Sequence, residues 1–193
     1  YRQFLDLAQR LRDDFLHQDD ERQKPHRASK PEERELPEPT EPLTPTRLAQ
    51  IETAITSFDL SSVIRRQMVC IILNDAAPKP VFNEAYFSID ELRYRLMPEV
   101  DLMSDRWLFQ RLTCTLDRRL LKLLPEIEAN INLPTSININ ISTLLDDAFA
   151  TFDREMRVRQ SKSVILELQL FDVIADMSAF IFARNLARTK GYK

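Results

Sequence analysis

Ser136-Ile137-Asn138-Ile139-Asn140-Ile141-Ser142 alternates polar and apolar side chains without a break. That period of two is the signature of a β-strand with one face buried, and β-branched isoleucine suits a pleated surface. The spacing predicts a strand over 136–142, with Asn138 and Asn140 together on the face opposite the isoleucines. Ser142 then opens a helix predicted to run from Thr143 to Val158, with Leu145, Phe149, Phe152 and Met156 inward. A strand that ends in a polar residue and feeds a helix is where β/α proteins place ligand-binding groups.

Working outward, Ser163–Leu168 reads as a further parallel strand. A last helix is predicted from Asp172 to Lys190, with Ile174, Met177 and Ile181 inward and Gly191 as its C-terminal cap. On the N-terminal side, Met68–Leu73 and Pro80–Tyr86 read as two strands joined by a polar turn over 74–78, an antiparallel hairpin. Ser88, with Glu91 three residues on, makes a capping box for a short helix to Met97, closed by Pro98. Ser104 caps a longer helix to Leu124, whose stripe is Leu108, Leu112, Leu116, Leu120, Leu123 and Leu124 and which Pro125 ends. Trp107 and Phe109 at its start read as core. Thr46 caps a helix to Phe58 with Leu48, Ile51, Ala54 and Ile55 on one face. Strands alternating with helices give the class α/β.

Two segments precede this domain of residues 46–193. Residues 1–16 form an amphipathic helix on Phe4, Leu7, Ala8, Leu11 and Phe15, whose apolar stripe needs a surface on its own domain, a second copy or another protein. Residues 17–45 hold Pro25, Pro31, Pro37, Pro39, Pro42 and Pro45 of the eleven prolines, among charged residues, and read as a spacer.

Composition narrows the function. The formal net charge of −3 gives no general attraction to nucleic acid or anionic membrane, so neither is expected as a partner. No apolar run approaches the ~20 residues of a membrane helix, and no signal peptide is read. Cys70 and Cys114 are spaced unlike a metal motif and read as two buried, reduced thiols; a cytoplasmic protein is expected. Gly191 is the single glycine, which excludes glycine-rich phosphate loops. His17 and His26 stand apart from other ligand types. Glu84, Asn140 and Glu167 fall at the ends of successive predicted strands. Their oxygens would suit Mg²⁺, Mn²⁺ or Ca²⁺, or could simply satisfy local backbone groups.

Three of these strands carry a resemblance. Val81-Phe82-Asn83-Glu84-Ala85-Tyr86 resembles the signature strand of the EAL-domain family, with Tyr86 in place of leucine. Ile139-Asn140-Ile141-Ser142 resembles its Asn-hydrophobic-Ser strand, and Leu166-Glu167-Leu168-Gln169-Leu170 its Glu-hydrophobic-Thr-Glu strand. Gln67 falls at the family's Gln-Pro. Order and spacing agree over roughly residues 60–193. The resemblance implies the first part of a TIM-like barrel with a leading antiparallel strand. In active members two divalent metals hydrolyse cyclic di-guanylate to the linear dinucleotide. It implies metal ligands at Glu84, Asn140 and Glu167 and a ligand contact at Gln67.

The chain also departs from the pattern. The family's phosphate-binding arginine aligns with Ser88, its closing Thr-Glu with Gln169-Leu170, and its Pro with Met68. Its later aspartate pair, lysine and glutamate have no counterpart within these 193 residues. The expectation is a degenerate EAL-like module without catalysis and with no required cofactor. It would act as a regulatory or scaffolding domain in bacterial signalling, through a protein partner or self-association by the amphipathic helix and an open barrel edge. The alternative is a fragment of a cyclic di-guanylate-binding protein or phosphodiesterase, with Mg²⁺ or Mn²⁺ at the strand ends.

Overall fold

A computed structural model of the chain describes residues 38–72, 77–127, 133–158 and 164–193, all within the compact unit Leu36–Lys193. The amphipathic helix over 1–16, the spacer as far as residue 37, and most of the turn over 74–78 lie outside the described residues.

The fold is mixed α/β. Strands β2 (Ile64–Ile71), β3 (Lys79–Phe87), β5 (Thr135–Asn138) and β6 (Val164–Glu167) form one sheet in the order β2-β3-β5-β6. β2 is antiparallel to β3, as the hairpin reading expects, and the other two pairings are parallel. The described strands leave the sheet open rather than closed into a barrel. A smaller parallel pair joins β1 (Glu41–Pro42) to β4 (Val100–Asp101). Seven α-helices are described: α1 (Pro45–Ser57), α2 (Ile89–Leu96), α3 (Arg106–Ile127), α4 (Ile141–Leu144), α5 (Asp147–Val158), α6 (Leu170–Ala175) and α7 (Met177–Lys190).

The last spacer residues belong to the fold. Leu43 is buried, its N–H donates to Ser104 Oγ at 2.8 Å, and Thr44, not Thr46, caps α1. A leucine with its backbone donor satisfied docks like any core residue, whatever prolines flank it.

The core has two parts. Leu48, Ile51 and Ile55 of α1 pack with Leu92 of α2 and with Leu112 and Leu116 of α3. The second part buries Ala85, Ile137 and Val164 of the sheet against Leu120, Leu121 and Leu124 of α3, Phe149, Phe152 and Met156 of α5, and Ala183 of α7. A buried side chain of this size contributes about 1.5–3 kcal/mol of transfer free energy, so these stripes hold the layers together.

Several boundaries differ from the sequence reading. Asp105 caps α3, with Oδ1 accepting from Trp107 N at 2.9 Å and Leu108 N at 3.0 Å, while Ser104 Oγ donates to Asp101 O at 2.8 Å. Pro125 lies inside α3 and is buried. A proline near a helix end costs one ladder bond, and there its packing offsets that loss. The helix predicted from Thr143 breaks at Asp146, whose Oδ1 accepts from Ala148 N at 2.6 Å and starts α5. The break turns Leu145 outward.

The helix predicted from Asp172 breaks at Asp176, which caps α7 by accepting from Ala179 N at 2.8 Å. Ile174, Met177 and Ile181 are exposed, not inward; Ala179, Phe180 and Ala183 face the core instead. Small residues let α7 approach closely, and the larger stripe is left outside. Trp107 is 68% exposed rather than core. Its indole meets the Phe171 ring edge-on at 6.0 Å, and Arg106 lies over that ring. Cys70 and Cys114 are free, as expected, but half-buried rather than buried. Gly191 caps α7 at φ 90°, as its lack of a Cβ allows.

Asp153 of α5 ties this end of α7 down. It accepts from Arg157 Nε at 3.2 Å, Tyr192 OH at 3.2 Å and Lys190 Nζ. Burial pushes its carboxyl up, but those donors outweigh burial and hold it below the usual carboxylate range. Such a group adds stability above its unfolded pKa, and the gain disappears as pH falls through the folded value. Asp153→Asn is expected to lose about 1–2 kcal/mol at neutral pH in urea unfolding, with the gap to wild type closing below about pH 4. A gap that stays constant with pH would show that ionisation of Asp153 is not its source.

Candidate functional site

Pairing between β3 and β5 runs from Asn83↔Thr135 to Ala85↔Ile137 and stops there, while β3 continues to Phe87. The separated strand ends leave a cavity of about 320 Å³ above α3. Phe87, Ile89, Phe109, Leu116, Leu120 and Ile139 give it apolar walls. Glu84, Asn138, Thr113, Asp117, Asn140 and Gln169 supply the polar groups. A mostly apolar hollow with a few convergent polar groups is the usual form of a small-molecule site.

Glu84 and Gln67 are direct cross-strand partners in the β2–β3 ladder, so they share a face. Ser136 is in register with Glu84, and Asn138 with Glu167. Alternation along β5 places Ser136 and Asn138 on one side, which brings Gln67, Glu84, Asn138 and Glu167 to one face near the strand ends. Asn138 Nδ2 donates to Glu84 Oε1 at 3.0 Å. Ser136 is fully buried, and its hydroxyl has no hydrogen-bond partner among the described residues.

Asn140 does not join that face by strand geometry. The strand ends at Asn138, and Asn140 is the residue that precedes α4. Ile139 N still donates to Glu167 O at 3.0 Å, but Asn140 N donates at 2.8 Å to Oδ2 of Asp117, a side chain from α3. The captured N–H takes the backbone out of the sheet. Asn138 and Asn140 therefore part company: the first is exposed beside Glu84, the second is buried against α3.

The polar groups around Asn140 form a connected set. Asn140 Nδ2 donates to Asp117 Oδ2 at 2.7 Å and to Thr113 Oγ1 at 3.1 Å. Asp172, from α6, accepts from Ile141 N at 3.3 Å and from Gln110 Nε2 at 2.5 Å. Burial pushes the Asp117 carboxyl up to about 6, and nearby Asp172 adds to the rise against the lowering effect of the Asn140 bonds.

Asp117, Thr113, Asn138 and Asp172 escape the sequence reading. Thr113 and Asp117 do carry a signal: with Leu120 and Leu124 they sit at spacings of four, three and four, two polar residues at the head of an apolar helical stripe.

Glu84 and Glu167 offer hard carboxylate donors and the asparagines amide oxygens, the chemistry that Mg²⁺ or Mn²⁺ prefers. The carboxylates stand on strands separated by β5. Among the described residues no group of three or more His, Cys, Asp or Glu is arranged to hold a metal ion. The donor set is thus short of what a two-metal centre requires. No described helix is long and apolar enough to cross a membrane. The chain matches no family model, no curated protein and no solved structure.

Proposed function

We propose that this chain is a degenerate EAL-like module, the first part of a TIM-like barrel, that acts without catalysis as a regulatory or scaffolding domain in the bacterial cytoplasm. Supporting the barrel reading are an antiparallel leading strand followed by parallel βα units and the appearance of Gln67, Glu84 and Glu167 on one face. The observation that carries the non-catalytic reading is the use made of Ser88. It stands at the position of the family's phosphate arginine, and its hydroxyl accepts from Glu91 N at 3.3 Å to start α2. A capping serine offers a phosphate no charge. Leu170, at the position of the closing glutamate, is 64% exposed and has no group with which to orient a ligand.

Protein contact is supported by exposed apolar stripes. Leu170 and Ile174 lie four apart on α6, and Met177 and Ile181 four apart on α7. The large side chains of one helical stripe are normally covered. The second reading, capture of a divalent cation and cyclic di-guanylate without turnover, is favoured by the retained oxygen donors Glu84 and Asn140, which line a preformed cavity, and by Glu167 in register with Asn138 beside it.

Isothermal titration with cyclic di-guanylate in Mn²⁺ separates the two. Absence of heat at high micromolar ligand leaves the protein-contact reading. Metal-dependent heat that weakens at least about tenfold in Glu84→Ala, the scale on which metal-site residues act, establishes the second.

A further inference from the structure

We infer that the strand-end cavity binds a small organic ammonium ion, a primary amine with an apolar body, and that Glu84 is the group that pairs with its charge. The cavity of about 320 Å³ lies at the small end of the ~300–1,000 Å³ usual for ligand sites. Phe87, Phe109, Leu116 and Leu120 in its walls coordinate nothing and suit a hydrocarbon body. None of the residues lining it is Lys, Arg or His, so nothing there offsets the charge of an anion.

Glu84 is the group these walls leave unmatched. It is half-buried. Among the described residues its side chain accepts one hydrogen bond, from the neutral Asn138 Nδ2 at 3.0 Å, and makes no ion pair. The other lining carboxyl, Asp117, is already engaged by N and Nδ2 of Asn140. A carboxylate held against apolar walls without a cation carries a desolvation cost that a bound ammonium group offsets. Asn138, which gives a donor to Glu84, keeps Oδ1 as an acceptor. Gln169, at the rim, makes no capping bond with its side chain and keeps its own carboxamide oxygen. Glu84 and these two oxygens match the three N–H donors of a primary ammonium group. Tyr86, two residues beyond Glu84 on β3, turns its ring to the face that Glu84 shares, and aromatic faces attract organic cations. A bare metal ion gains nothing from the apolar walls, whereas an organic cation uses the walls and the carboxylate together. The inference stands whether or not cyclic di-guanylate binds.

The test titrates the whole chain at about pH 7.5, where a primary amine is protonated. The probes are 2-phenylethylamine, 2-phenylethanol and phenylacetate, one ring with a cationic, a neutral and an anionic head. Backbone amide chemical shifts read both affinity and place. The amine should bind with a Kd of about 1 mM or tighter, about tenfold or more below that of the alcohol, and phenylacetate should bind more weakly than either. The shifts should centre on Tyr86, Phe109 and Gln169. Glu84→Gln keeps the shape and the acceptor for Asn138 but removes the charge, and should bring the amine to within about threefold of the alcohol. Glu84→Ala stands in if Glu84→Gln does not fold, and the comparison of the three probes on wild type needs no variant. Equal affinity of wild type for amine and alcohol, or an amine preference that survives Glu84→Gln, overturns the inference. So does an amine that shifts nothing at millimolar concentration, or shifts centred instead on the exposed apolar side chains of α6 and α7.

Discussion

Phe149→Ala should lower the unfolding free energy by about 3–5 kcal/mol, the range for removing a buried phenylalanine. Phe149 is 1% exposed and belongs to the core part that joins the sheet to α3, α5 and α7. Its ring lies 5.9 Å from that of Phe152 and 5.2 Å from that of Tyr192. Truncation therefore loses the transfer energy of the ring, two aromatic contacts and the filling of a space bounded by three elements. The Tyr192 hydroxyl is held by Asp153, which limits how far that ring can move in to fill the gap. Urea unfolding of wild type and variant reads the difference in midpoint at constant slope. A loss under about 1 kcal/mol would show that this region collapses around the cavity or was not tightly packed.

The second large effect is a pH dependence set by Asp117. Its carboxyl moves from 3.8 in the unfolded chain to about 6 in the folded one, mainly because it is buried. The folded state then binds the proton more tightly than the unfolded state does. Stability from this group is complete below about pH 4, falls as pH rises toward 6, and is level above that. A shift of this size corresponds to roughly 3 kcal/mol at most. Asp117→Asn removes the titrating group and should flatten that part of the profile, so the variant gains on wild type between about pH 4 and 6.5. Parallel profiles for the two chains would show that Asp117 does not titrate with an upward shift.

Much of the fold could be read from the sequence because the side chains followed a period and the backbone obeyed it. Leu48, Ile51 and Ile55, the leucines of α3, and Phe149, Phe152 and Met156 all point where their spacing predicts. The β2–β3 hairpin and the Ser88 cap rest equally on local chemistry.

The misreadings share a cause: a distant group overrides the local pattern. Residues 136–142 alternate throughout, yet the strand stops at Asn138 because Asp117, 23 positions away in the chain, captures Asn140 N. No pattern within the strand carries that information. Ile174, Met177 and Ile181 recur at helical spacing, but the break at Asp176 divides them between α6 and α7 and the described domain leaves all three exposed, so periodicity names the apolar positions and not what covers them. Trp107 reads as core by residue type, but its indole meets Phe171 edge-on at the surface.

The candidate site divides in the same way. Glu84 and Glu167 are legible as residues at strand ends and do reach one face; Gln67, which only the resemblance singles out ahead of the predicted strand at Met68, joins them because that strand starts at Ile64 and pairs it with Glu84. Asn140 was legible as a residue of interest but not as a buried one. Asn138 keeps the strand face that alternation predicts for it, but its bond to Glu84 depends on the pairing of β3 with β5, which no local pattern carries.

The most direct test of the proposed module is a turnover assay. The chain is incubated with cyclic di-guanylate and Mn²⁺ at about pH 8, and the nucleotides are separated by chromatography. The account predicts that the cyclic dinucleotide persists unchanged, in wild type as in Glu84→Ala. Formation of the linear dinucleotide by wild type, lost in Glu84→Ala, would contradict it and show that these strand-end residues perform the hydrolysis.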